Sequence, residues 1–159
     1  EIFDGEASAR DRFSQARKLA PQGVSTHVDG AFLIGLGQLD QEDGHMDKAA
    51  AAFVLAEKIY MDAELHVGAG QALLAQARLH HDLGKEIALD TYARALRAFL
   101  AAQDRIGEAT ARWWMAKHLS AAGGGMEASV QYRIAAWIFG DLELSERAAA
   151  ALEAAHSFR

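Results

Sequence analysis

The amino-acid sequence predicts an all-α protein, a stack of antiparallel helical hairpins, and three observations carry that prediction. First, the 159 residues contain one proline, Pro21, and are rich in Ala, Leu, Glu, Arg, Gln and Lys, the stronger helix formers, while β-branched residues are sparse. Second, Gly44, Gly84 and Gly124 stand 40 and 40 residues apart, each after one apolar-periodic segment and before another, where helix C-caps and tight turns belong. Third, apolar columns line up at the same offset of 40: Leu33, Leu73 and Trp113; Ile34, Leu74 and Trp114; Leu39, Leu79 and Leu119; Ile59, Phe99 and Phe139. A regular internal period of this size marks stacked repeats, because one hairpin cannot bury its own apolar face.

The elements follow in order along a single domain, residues 1–159. Residues 6–20 read as the second helix of a partial repeat, since Phe13 and Ala16 lie 40 residues before Phe53 and Ala56. With its first helix absent and Glu1 at the start instead of a methionine, the chain reads as a piece of a longer protein. Residues 27–64 form the first full repeat, 65–106 the second and 107–144 the third. After each glycine turn the second helix carries one apolar face at offsets of 4, 7 and 11: Ala49, Phe53, Ala56 and Tyr60; Ala88, Tyr92, Ala95 and Phe99; Ala128, Tyr132, Ala135 and Phe139. These sets are 39 and then 40 residues apart, so the second turn is one residue shorter than the first. On this face alanine lets neighbouring helices approach while the aromatic residue fills the gap between them. Residues 145–159 end the chain with one more helix, with Ser145 as its expected N-cap and Glu146 at its favourable start.

These features together resemble the tetratricopeptide-repeat family in its longer form of about 40 residues per unit. The first unit, GAFLIGLGQLDQEDGHMDKAAAAFVLAEKIY, has the large-small pair Leu36-Gly37, Gly44 at the turn, and Ala49, Phe53 and Ala56 in the second helix. The second has Ala77, Gly84, Ala88, Tyr92 and Ala95; the third has Ala116, the glycine run, Ala128, Tyr132 and Ala135. The likeness spans residues 30–140 and departs from the family in lacking its proline after each second helix. It implies a right-handed superhelical stack with a concave surface lined by the first helices of the hairpins.

Composition bounds the function. At 51% hydrophobic and 24% charged residues the chain can bury a sizeable core without covalent help, and having no cysteine it has no disulfide, thiolate metal site or cysteine nucleophile. The formal net charge is -6 with no dense Lys/Arg cluster, which argues against nucleic-acid binding. The longest uncharged stretch, Gly30 to Leu39, is too short to cross a bilayer, and no targeting pattern opens the chain, so a cytoplasmic location with no membrane partner is expected.

The candidate chemistry is thin. HHDLGKEIALDTYAR, residues 80–94, places two histidines beside a carboxylate, but adjacent helical residues point about 100° apart, whereas helical zinc sites use a spacing of four. Neither a metal nor any other cofactor is expected, and the stretch reads as a helix end, a glycine turn and a helix start. None of the serines lies in a GxSxG elbow, and AGGGME, residues 122–127, lacks the Lys-Ser/Thr that would follow in a phosphate loop. The acidic group Asp40, Glu42 and Asp43 reads as a solvated face.

The first-helix face is more informative. Ile34, Gln38 and Gln41; Leu74, Arg78 and His81; and Trp114, His118 and Ala121 recur at offsets of 4 and 7, and a one-residue shift in the third unit exchanges Trp114 for Trp113 and His118 for Lys117. By the resemblance these side chains line the groove, a stripe running from neutral amides through Arg and His to Trp. It suits a protein or peptide segment with an acidic group near Arg78 and His81 and an apolar anchor at Trp114. The family's Lys/Asn carboxylate clamp and Asn ladder cannot be carried over, because the chain has no asparagine. The expectation is a non-catalytic binding scaffold; the alternatives are a sensor or regulatory segment of a larger signalling protein and an all-α enzyme using His80 or His81.

Overall fold

The computed structural model describes residues 25–158 and Gln15, and among these it is all-α. Apart from Gln15, which is helical, the expected helix at 6–20, with Phe13 and Ala16, lies outside the described residues. Seven helices follow one another: α1 (Ser25–Glu42), α2 (Met46–Asp62), α3 (His66–Asp82), α4 (Ala88–Ala101), α5 (Arg105–Ala121), α6 (Gly125–Asp141) and α7 (Ser145–His156). Connections this short force consecutive helices to run antiparallel, and each packs against the next. The odd-numbered helices also pack on one another, α1 on α3 and α3 on α5, while α2, α4 and α6 share no such packing. A stack whose first helices touch and whose second helices splay is bent with the first helices inside.

Each corner is closed in the same way. Gly44 N–H donates to Gln41 O and His45 N–H to Asp40 O; Gly84 and Lys85 repeat this with His81 and His80, and Gly123 and Gly124 with Ser120 and Leu119. This is the Schellman pattern, which needs a left-handed residue after the helix, and Gly44, Gly84 and Gly123 have φ of 80°, 63° and 85°. The third turn glycine is therefore Gly123 and not Gly124, which shortens the spacing from Gly84 to 39. The corners between hairpins use the same bonds with Glu64, Gln103 and Glu143 in the left-handed position. The second turn is tightened as expected, with Ala88 four residues after Gly84 where Ala49 and Ala128 come five after their glycines. Ser145 is not the cap of α7: it is the first helical residue, and Leu144 before it makes no side-chain bond.

The second-helix faces form the core. All twelve residues of the three sets from Ala49 to Phe139 are buried. Phe53, Tyr60 and Phe99 lie against glycines of the inner helices. A Cβ added at Gly30 or Gly68 would come 2.4 Å from the Tyr60 ring, and one at Gly107 would come 2.2 Å from Phe99, which also abuts Gly70. Tyr60, buried and not Ile59, is thus the counterpart of Phe99 and Phe139. The third residue of the inner helix is Gly68 in α3, Gly107 in α5 and Arg147 in α7. There the arginine guanidinium sits 5.9 Å from the Phe139 ring centre, and the last corner stays open.

Candidate functional site

The inner helices present three clefts. Gln38, Gln41, Glu42 and Met46 face Arg78 and Asp82 across a cleft of ≈ 500 Å³ between the first two hairpins. Gln41 Nε2 donates to Asp82 Oδ2 at 2.8 Å, tying the C-terminal turn of α1 to that of α3. Further along, His81 and His118 line a second cleft of ≈ 460 Å³ with Lys85, Glu86 and Leu89. Where Arg147 replaces a glycine, Thr110, Trp113, Trp114 and Phe139 enclose a third, of ≈ 290 Å³.

Cations and aromatic rings meet at the junction of these clefts. The Arg78 guanidinium lies over the Trp114 ring at 4.3 Å and the Lys117 ammonium at 4.8 Å. Neither has a carboxylate within ion-pair distance among the described residues, whereas Arg94 pairs with Glu57, Arg105 with Asp141 and Arg112 with Glu108. Beneath them Tyr92 is fully buried, and its hydroxyl has no hydrogen-bond partner. Burial first, and the Asp82 carboxylate after it, hold that phenol far above its ordinary pKa; Arg78 pulls the other way. Tyr92 also supports the His118 ring, with centres 6.0 Å apart.

His80 and His81 diverge. His80 Nδ1 meets Thr91 Oγ1 at 3.2 Å on the core side, and burial, with Lys85 nearby, lowers its pKa. His81 turns toward α5, its Nδ1 3.0 Å from His118 Nδ1. The pKa of His118 is lowered by burial and then by His81.

Of the eight side chains expected on the groove, Gln38, Gln41 and Arg78 line one cleft, His81 and His118 another, and Trp114 the third. Ile34 instead packs on the core of Phe53 and Leu79, and Leu74 sits between two core clusters. The 39-residue spacing also moves the register: Trp113 occupies the place of Leu74, and Lys117 that of Arg78. Trp113 packs edge-on to Tyr132 at 5.1 Å. Sequence reasoning missed Arg147, whose signal was its place in line with Gly68 and Gly107. Asp40 is 4% exposed and not part of a solvated face, with His45 Nδ1 3.8 Å from its Oδ1, while Glu42 and Asp43 are exposed.

Fold and inner-face side chains together define a helical-hairpin repeat stack. No protein-family model and no curated protein sequence matches the chain significantly. Among solved structures it is similar to BtubC (BKLC) from P. vanneervenii, with a TM-score of 0.67 and 19% identity, covering 97% of this chain and 71% of that chain. At that identity the likeness is one of fold. No helix among the described residues is long and apolar enough to cross a membrane.

Proposed function

We propose that this chain is a non-catalytic, cytoplasmic interaction module of the tetratricopeptide type, whose inner face binds a protein or peptide segment bearing an acidic group beside an apolar anchor. The observation that supports this most is the pair of cations on Trp114. Arg78 and Lys117 hold their charge over an aromatic ring with no carboxylate among the described residues within ion-pair distance, in a protein of net charge -6. An arriving carboxylate would find two donors there, and an apolar side chain beside it would find Trp113, Trp114 and Phe139. Catalysis has no comparable support, since His80 is engaged by Thr91 and His81 by a second imidazole.

The test is selection from a displayed library of random peptides, followed by titration of the recovered peptides against parent, Trp114→Ala and Arg78→Glu. Recovered sequences should be enriched in Asp and Glu next to a large apolar residue. Trp114→Ala should cost about 2 kcal/mol or more, as at interface hot spots. Arg78→Glu should weaken binding most at low salt, where exposed charges are least screened. Peptides with no acidic bias, or affinities unchanged by both substitutions, would overturn the reading.

A further inference from the structure

The stack joins two histidines that lie 37 positions apart in the chain, about one repeat. His81 is in the last turn of α3 and His118 in the last turn of α5; their Nδ1 atoms are 3.0 Å apart, with ring centres at 5.2 Å and planes at 80°. We propose that His81 and His118 form a two-imidazole site for a borderline divalent transition cation, such as zinc, nickel or copper, spanning adjacent repeats on the inner face. The site stands on this geometry and not on the peptide-binding reading.

Reach comes first. With metal–nitrogen bonds of about 2.0 to 2.1 Å, two nitrogens on one ion stand about 2.9 to 3.4 Å apart for angles between square and tetrahedral. The observed separation falls in that span. The ligands sit on two helices packed directly on one another, and loading rotates the rings so that their lone pairs turn from each other toward the ion. Imidazole is the side chain that suits these ions at neutral pH, and the cleft of ≈ 460 Å³ in front of the pair leaves room for water at the remaining positions, with Glu86 on its wall. Lys85 on the same wall opposes a cation, which favours a site of modest affinity.

The proton count is simple. Nitrogens 3.0 Å apart with centres at 5.2 Å meet nearly head-on, so without an ion one Nδ1–H donates to the lone pair of the other ring. Loading turns both lone pairs toward the ion and places each ring's single hydrogen on Nε2. Neutral rings therefore bind without net proton release. Burial lowers the pKa of His118 and so keeps that ring in the ligating form. His80 stays outside the site because its Nδ1 is taken by Thr91.

Among the described residues a group of three ligand-type side chains, Asp40, Asp43 and His45, has its ligand atoms within 4.8 Å of one another at the end of α1 and provides the control. The experiment titrates the whole chain with zinc chloride and nickel chloride by calorimetry, and follows the histidine ring nitrogens by NMR. The expected result is saturable binding with the Nδ1 resonances of His81 and His118 moving together. His81→Ala and His118→Ala should each weaken it by about tenfold or more, while His45→Ala and His80→Ala leave it unchanged. No saturation at millimolar metal, or binding lost only in His45→Ala, would overturn the proposal. The ring-nitrogen signals of the parent chain decide the matter even where a variant folds poorly, since a site elsewhere leaves those two Nδ1 signals in place.

Discussion

His80 and His81 are neighbours in the chain, yet one faces the core and the other the groove. Spacing along the chain argued against their sharing a metal, because neighbouring helical side chains diverge. It could not show that His81 meets His118, since that contact depends on how α3 and α5 pack. Two half-buried histidines carry a pH signature. His80 and His118 have pKa values below the ordinary 6.5, from burial first and then from Lys85 and His81 respectively. The unfolded chain therefore binds protons that the folded chain refuses. Stability should be full above 6.5, fall as pH drops through 6.5, and level off below the two folded-state values. Denaturant unfolding from pH 8 downward, with chelator present, should show this loss, and a His80→Gln/His118→Gln variant should show a shallower one. An equal slope in both proteins would mean that other groups carry the acid sensitivity. Core residues were easier to read, because aromatic–alanine alternation at helical spacing has few uses besides packing. Phe53 is buried on Gly37, and Phe53→Ala should cost about 3 to 5 kcal/mol in denaturant unfolding.

At the level of the helices and their corners, glycine was legible where it was used and silent where it was not. Gly44 and Gly84 announced left-handed turns; in the run from Gly123 to Gly125 all three residues suit the position, and only the hydrogen bonds select the first. That one-residue ambiguity is why the third inner helix read as Trp114 opposite Leu74 when Trp113 stands there. The corners at Glu64, Gln103 and Glu143 gave no local sign, since a left-handed Glu or Gln is imposed by the packing of the helices it joins. Each stores backbone strain that glycine would relieve. The left-handed conformation costs an ordinary residue about 1 to 2 kcal/mol, against about 0.5 to 1 kcal/mol of extra chain entropy lost by glycine, so Gln103→Gly should stabilise by roughly 0.5 kcal/mol. Gly84→Ala should destabilise by a similar or larger amount, although no atom lies within 4 Å of the added methyl. Thermal melts of the two variants should move in opposite directions, and a lower Tm for Gln103→Gly would show that its side chain contributes more than its backbone costs.

At the scale of the molecule, each hairpin among the described residues packs on its neighbours along the stack, so stability is a sum of hairpins and interfaces. The candidate groove is made entirely of such interfaces. Gln41 to Asp82 joins the first two inner helices, while Arg78 to Trp114 and His81 to His118 join the next two. No single hairpin contains the site, and that is also why its period was visible in the sequence while its contacts were not. The consequence is a directional response to damage. Tyr92 belongs to the core cluster that holds Ala77 of α3, Ala88 of α4 and Met115 of α5, so losing it strikes the interface on which both halves of the groove lean. Phe139 packs on Ala109 and Ala148 near the far end, where Arg147 already leaves a cleft. Both substitutions to alanine delete a buried aromatic and should cost a comparable amount if the molecule unfolds as one unit. In a stack they should differ. Phe139→Ala should lose amide-exchange protection in α6 and α7 while α2 and α3 keep theirs, and Tyr92→Ala should lose it on both sides of the centre. Hydrogen exchange resolved to the helix distinguishes the two outcomes. Uniform loss in Phe139→Ala would make the chain a single cooperative unit, with a groove that forms or fails as a whole.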